Sequence, residues 1–175
     1  MRYYTYVESP IDPLLLVSDG TALIQLHMRL QRYPQAVEAD WKRDDGLFED
    51  TAAQLAAYFA GELHEFDLKL NLEGTEFQRR VWAALLEIPF GETRSYKEIA
   101  IRIGDLQAIR AVGLANGRNP IGIIVPCHRV IGSNGSLTGY GGGLPRKQWL
   151  LQHESAHRRG AHQEDWLLKK DVIPA

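Results

Sequence analysis

The hydrophobic pattern of this chain changes its period at Gly74, and that change constrains the fold more than any other feature of the sequence. Before it, short apolar runs with strand character dominate. Tyr3–Val7, Leu14–Val17 and Ala22–Met28 are predicted strands, with Asp19-Gly20 as the hairpin turn before the third. Residues 30–46 are polar and weakly patterned, and so are predicted to be loop. Phe48–Ala60 carries Leu55, Tyr58 and Phe59 at helical spacing and stops at Gly61. Phe66, Leu68, Leu70 and Leu72 then alternate with polar residues, which predicts a strand with one buried face. From Gly74 the period is helical. Thr75 with Gln78 forms a capping box ahead of Phe77, Val81, Leu85 and Ile88, and Pro89 and Gly91 close that helix. The division predicted is an N-terminal α+β domain over residues 1–73, a mainly helical domain over 74–155 and a tail over 156–175, with Trp166–Leu168 as the tail's anchor.

Within the helical part, Ser95 with Glu98 opens a short helix that Gly104 stops, and Asp105 caps another that carries Leu106, Ile109 and Val112 and closes around Gly117. Two short helices joined by a tight glycine-containing turn fit a helix-turn-helix, whose second helix enters a groove of DNA. That helix carries Arg110, ends near Arg118, and is otherwise rich in small residues, among them Ala111 and Gly113. Small side chains suit close approach to DNA and tight helix packing equally well. Ile121–Val125 is an apolar run between Pro120 and Pro126, predicted to be a short buried strand or extended segment. Six glycines follow between residues 132 and 143. Glycine costs entropy to order, so this loop must bend sharply or let something approach its backbone. Pro145 starts the last helix, which holds Lys147, Trp149, Leu150 and Glu154.

Cys127 is the single cysteine, so the chain can form no internal disulfide and no multi-cysteine zinc site. His153 and His157 are one helical turn apart without further ligand types around them, and no metal is expected there. A cysteine directly after Pro126 and before His128 and Arg129 is a nucleophile candidate, because an imidazole or guanidinium can stabilise its thiolate. Net charge is −2 over 175 residues, which by itself does not suggest a polyanion partner. The distribution does. Residues 1–74 hold 6 Lys/Arg against 13 Asp/Glu, whereas residues 75–154 hold 10 against 6. No stretch approaches the roughly 20 apolar residues of a membrane helix, and the N-terminus lacks the charged start and apolar run of a secretory signal.

The run Ile124-Val125-Pro126-Cys127-His128-Arg129-Val130-Ile131 resembles the active-site signature of the O6-alkylguanine-DNA alkyltransferases. The resemblance extends through Ser95-Tyr96, Arg110-Ala111-Val112-Gly113, Asn119-Pro120, Gly139-Tyr140 with the glycines after it, and Lys147 through Trp149 to His153-Glu154. It is nearly continuous from Gly74 to Glu154, and looser before that, where it rests on Ser9-Pro10 and Tyr58-Phe59-Ala60-Gly61.

That resemblance implies an RNase-H-like N-terminal domain packed on a winged-helix-like C-terminal one, and irreversible transfer of an alkyl group from O6-alkylguanine, or O4-alkylthymine, to Cys127 after the base is flipped from the duplex. It implies that Arg110 fills the gap in the base stack, with Ala111, Gly113, Arg118 and Ser95 also at the DNA. Tyr96 would donate a hydrogen bond to the flipped base. The carbonyls of Cys127 and Val130 would accept from its exocyclic amine. Tyr140 would wall the pocket and the Gly141 N–H would lie near O6; many relatives have serine at that position. Lys147 would steady the loop or polarise the base, and Asn119 would hold the turn before the active-site segment. His128 would take the thiol proton through a water while Glu154 orients it, the nucleophile–base–orienter logic of a hydrolase triad. No cofactor is implied, because the cysteine is the acceptor. The partner implied is double-stranded DNA, met by a monomer in the cytoplasm, or at the nucleoid if bacterial, with cooperativity along DNA left open.

Three rival readings are weaker. A non-catalytic protein that flags alkyl lesions would keep the pocket but lack Cys127. A cysteine hydrolase would have no use for Arg110 on a small-residue helix. A helix-turn-helix regulator would leave the Pro126–Val130 motif and the glycine loop without a purpose.

Overall fold

The structure is a computed structural model that describes residues 1–28 and 35–158. Its N-terminal part is a four-stranded sheet in the order β3-β2-β1-β4, built from β1 (Tyr3–Val7), β2 (Leu14–Ser18), β3 (Leu23–Met28) and β4 (Lys42–Arg43). β1–β2 and β2–β3 pair antiparallel, and β1–β4 pairs parallel. Every residue of β2 is buried because both faces of the sheet are covered. Leu14 and Leu16 face the main core, while Leu15 and Val17 pack with Ile24 under Trp41. The β2–β3 turn is longer than a two-residue hairpin, because Ala22 joins the turn and β3 starts at Leu23. Gly20, at φ 100°, permits it, and Asp19 Oδ1 accepts from the N–H of Thr21 and of Ala22, both at 2.8 Å. Strand β4 was not anticipated within 30–46: its two exposed residues have no periodicity to read, and only pairing with β1 defines them.

Helix α1 (Glu49–Phe59) follows a 3₁₀ turn at Asp45–Phe48. The strand expected at Phe66–Leu72 does not form. The exposure alternates as the sequence requires, but only Leu70 bridges to Leu23, through two backbone hydrogen bonds of 2.9 Å. The segment has one side to bury and no neighbouring strand along most of its length, so the ladder is not completed.

Four helices follow: α2 (Glu76–Leu86), α3 (Tyr96–Arg102), α4 (Ile109–Gly117) and α5 (Leu144–His157). Both capping boxes are present, at Thr75/Gln78 and Ser95/Glu98. Asp105 caps a 3₁₀ turn, Leu106–Ala108, that leads into α4. Ile121–Val125 is neither strand nor extended segment. It is a run of turns in which Ile123 takes φ 69°, anchored by the Leu26–Ile121 bridge. Cys127–Arg129 is a 3₁₀ turn, and Val130–Ile131 forms β6, parallel to β5 (Arg94–Ser95). The expected Trp166–Leu168 anchor lies outside the described residues. One core runs through both parts, joining Leu14, Leu26 and Met28 of the sheet to Trp82, Val112 and Leu150 of the helices. No helix among the described residues is long and apolar enough to cross a membrane.

Candidate active site and nucleic-acid interface

Cys127 lies at the junction of sheet and helices, 6% exposed, on a turn that the chain reaches only after two sharp reversals. Asparagines hold those reversals. Asn119 Nδ2 donates to the Val125 carbonyl at 2.7 Å and its Oδ1 accepts from Ile121 N at 3.0 Å, so one side chain closes the 119–125 loop. Asn116, buried on α4, donates to the Cys127 carbonyl at 3.3 Å. Asn116 is not among the residues that the sequence motifs single out, although a buried amide among small residues at the end of α4 is a detectable signal.

The 3₁₀ turn places His128 and Arg129 on the same carboxylate. His128 Nε2 is 2.6 Å from Glu154 Oε2, and Arg129 meets Glu154 through Nε at 2.7 Å and Nη2 at 3.1 Å. Arg129 Nη1 also donates to the Ile88 carbonyl at 2.6 Å. Tyr58 of α1 donates its hydroxyl to Glu154 Oε2 at 2.6 Å. Burial opposes the Glu154 charge, but His128 and Arg129 outweigh it and hold the carboxyl well below the usual range. With Nε2–H given to an ionised carboxylate, Nδ1 is the basic nitrogen of His128, and it is buried without a hydrogen-bond partner. Burial lowers the His128 pKa against the pull of Glu154, so the ring is neutral and able to accept a proton.

The thiol itself departs from expectation. Burial raises the Cys127 pKa, and a hydrogen bond from the Asn119 side chain and the charge of Lys147 offset it only in part. Arg129, which sequence adjacency offered as a thiolate partner, is committed to Glu154. The resting group is therefore a thiol that needs a base.

Lys147 is fully buried on α5 and donates to the carbonyls of Val130 at 2.5 Å and Thr138 at 2.9 Å. It straps the glycine-rich loop to the active-site turn. Burial lowers its pKa to about 8. The Tyr96 hydroxyl donates to the Thr138 carbonyl at 3.2 Å, which fastens the same loop from α3. Tyr140 buries its hydroxyl without a partner, and burial followed by the proximity of Cys127 pushes its pKa well above 10.0. At Gly141 an added Cβ would meet only the Gly117 carbonyl, at 4.0 Å, so a serine fits there.

Helix α4 divides cleanly. Val112, Ala115 and Asn116 are buried, and Trp82 donates to the Ala115 carbonyl at 2.8 Å. Ile109, Arg110, Ala111, Leu114 and Arg118 are exposed, with Leu114 at 68%. Arg110 makes no hydrogen bond or ion pair with another described residue. Gly113 lies against the Tyr96 ring, where a Cβ would stand 3.9 Å away. The Ser95 hydroxyl is occupied as the cap of α3, accepting from Glu98 N at 3.1 Å. No cluster of three or more potential metal-ligating side chains occurs among the described residues.

Comparison with known proteins fits this arrangement. Residues 76–156 match the family model described as 6-O-methylguanine DNA methyltransferase, DNA binding domain, and residues 2–72 match its ribonuclease-like domain. A methylated-DNA–protein-cysteine methyltransferase of Mycobacterium bovis is 58% identical over 89% of this chain and 94% of its own length. One from Methanosarcina barkeri is 54% identical over 90% of this chain and 99% of its own. Among solved structures, Mycobacterium tuberculosis OGT in complex with DNA superposes with a TM-score of 0.84 at 57% identity, over 89% of this chain and 94% of that one.

Proposed function

From its membership of the 6-O-methylguanine DNA methyltransferase family, to which this chain belongs, we propose how its cleft performs direct-reversal repair. The protein binds DNA and transfers a methyl group from the damaged strand to its own cysteine, Cys127. The substrate we infer is O6-alkylguanine in double-stranded DNA, met by a monomer in the cytoplasm or at the nucleoid. Residues 1–73 and 74–155 act as its two domains.

The observation that carries the mechanism is the buried pair of His128 and Glu154, 2.6 Å apart, beside a protonated Cys127, with Nδ1 of the ring unclaimed. Nδ1 takes the thiol proton through a water. Glu154 then stabilises the imidazolium. The thiolate attacks the alkyl carbon, the S–C bond forms, and the C–O6 bond breaks. Its electron pair leaves with guanine, which takes back the proton held by the His128 imidazolium through solvent, while the Tyr96 hydroxyl turns from the Thr138 carbonyl to donate to the base. The attack is at an sp³ carbon and makes a thioether, so each molecule acts once. The target must first leave the duplex, at a cost of a few kcal/mol. Arg110 supports that step from the exposed face of α4, with Ala111, Gly113, Ser95 and Arg118 around it. The Cys127 and Val130 carbonyls accept from the exocyclic amine. The Val130 carbonyl already accepts from Lys147, and the Cys127 carbonyl from Asn116 and from the Val130 N–H, which fixes the direction of each. Tyr140 and Gly141 wall the alkyl group.

Intact-protein mass after incubation with a duplex bearing one O6-methylguanine tests the proposal. One methyl gained per wild-type molecule, and none by Cys127→Ala, supports it. Tight binding to the same duplex without any mass gain would return the protein to a lesion-flagging role.

A further inference from the structure

The loop that walls the pocket is tied to the N-terminal sheet domain at a point that the transfer chemistry does not use. Arg146, beside the strap lysine on α5, spends its guanidinium on three acceptors outside the Cys127 site. Its Nη1 donates to the Gly142 carbonyl at 2.7 Å, its Nε to the Ile11 carbonyl at 3.1 Å, and its Nη2 to the Asp12 carboxylate. One planar side chain thus joins the glycine loop to the 9–12 turn.

That turn is built to present these acceptors. Asp12 adopts φ 82°, a left-handed conformation that costs a non-glycine residue about 1 kcal/mol or more. Ser9 Oγ donates to the Asp12 carbonyl and accepts from Ile11 N at 3.2 Å, which holds the turn in this form. On the loop side, Gly142 lies so close to Met28 of β3 that an added Cβ would stand 2.4 Å from its Sδ and 2.9 Å from the Tyr140 ring. The Tyr140 hydroxyl in turn is buried near Cys127. A continuous series of contacts therefore runs from Asp12 through Arg146, Gly142 and Tyr140 to the nucleophile.

Lys147 and Tyr96 fasten the loop at Thr138, and Arg146 fastens it at Gly142, where Met28 packs against it. A groove of about 430 Å³ separates the turn from the loop, lined by Pro10, Ile11, Gly143, Pro145 and Trp149 and crossed by Arg146. It leaves room beside the Gly142–Gly143 end of the loop for that end to shift when the guanidinium is removed. We propose that the Arg146 pin to Ile11 and Asp12 sets the depth of the alkyl pocket, so that Arg146 and Asp12 are positioning residues that bias transfer toward small alkyl groups. The inference rests on the alkyl-transfer reading above.

The test compares single-turnover transfer to Cys127 from duplexes that carry O6-methylguanine or O6-benzylguanine, for wild type, Asp12→Asn, Arg146→Ala and Arg146→Lys. Unpinning should slow methyl transfer by about tenfold, since a displaced wall no longer presses the small group onto the thiol. Benzyl transfer should be unchanged or faster, which moves the ratio of the two rates toward benzyl. Arg146→Lys, which keeps the charge but cannot span three acceptors, should fall between. A general loss of folding would slow both substrates alike and would not move the ratio. If Arg146→Ala does not fold, Asp12→Asn, on a half-exposed turn, carries the test alone. An unmoved ratio in folded variants overturns the proposal. Absence of transfer by the wild type from either duplex would instead defeat the alkyl-transfer reading itself.

Discussion

Glu154 takes three side-chain donors, an imidazole, a guanidinium and a phenol from the other part of the chain, besides the Gly91 N–H at 3.4 Å. Removing its charge leaves Arg129 buried and uncompensated, and such broken pairs cost about 3–5 kcal/mol. Glu154→Gln should lower the thermal midpoint and slow transfer by about a hundredfold or more, since a general base that is not oriented loses most of its effect. Single-turnover rates measured with circular dichroism melts would separate the two losses. The carboxyl sits below its ordinary 4.5 in the folded protein, so its stabilisation is complete above that value and is lost as pH falls through the folded pKa. The urea midpoint of wild type should fall on acidification below about 4.5, and that of Glu154→Gln should fall less steeply. Lys147 obeys the same sign rule in another range. Its pKa is near 8 when folded and 10.5 when unfolded, so the unfolded chain binds more protons between these values and stability rises with pH across them. Lys147→Met should lack that rise in urea titrations.

At the scale of elements, α4 performs two tasks with two faces. The buried face holds the Cys127 carbonyl through Asn116, and the exposed face carries Arg110, proposed here to meet DNA. Arg110→Ala should therefore slow repair in a duplex by at least about tenfold while leaving the reaction with free O6-benzylguanine nearly unchanged, because the free base needs no flipping. Equal slowing of both in paired stopped-time assays would remove the flipping role. Cys127→Ala should still bind the damaged duplex, since the thiol contributes reactivity rather than affinity. Elements with local determinants were legible from sequence: both capping boxes, the α5 start at Pro145, and the stripe of α2. Those that need a distant partner were not. Residues 66–72 alternate as a strand does but lack a neighbour, and 121–125 is apolar because it is buried, while its path is dictated by Asn119 and the bridge to Leu26. Cys127, His128 and Glu154, proposed here as the reacting group, base and orienter, were named together through motif spacing, and the structure brings His128 and Glu154 into contact. The contacts of Asn116, Tyr58 and Arg146 were not legible, because each reaches a backbone carbonyl or a carboxylate 11 to 135 residues away.

Across the whole molecule, the helical part carries the groups proposed to react, and contacts from the sheet part help to fix their positions. Leu26 and Met28 enter the shared core beside Ile121 and Gly142, Asp12 holds the glycine loop through Arg146, and Tyr58 completes the shell around Glu154 from 96 residues away. The Tyr58 bond tests whether this support reaches the chemistry. Its hydroxyl, pressed by burial and by Glu154 well above 10.0, stays a proton donor at every pH where the protein works. Tyr58→Phe keeps the ring's edge-on and tilted contacts with Phe59, Phe66, Phe90 and His153 and deletes only the donor. A hydrogen bond to a charged group contributes about 1.5–3 kcal/mol, so the melting midpoint should fall by several degrees. Glu154 keeps His128 and Arg129 after the change, so transfer should slow much less than in Glu154→Gln, by less than about tenfold. The carboxylate, now less solvated by its donors, should draw the imidazole proton more strongly and move the acid limb of the pH–rate profile upward. A midpoint loss with an unshifted profile would assign Tyr58 to the core alone; a shifted limb would show that a residue of the sheet domain tunes the base that activates Cys127.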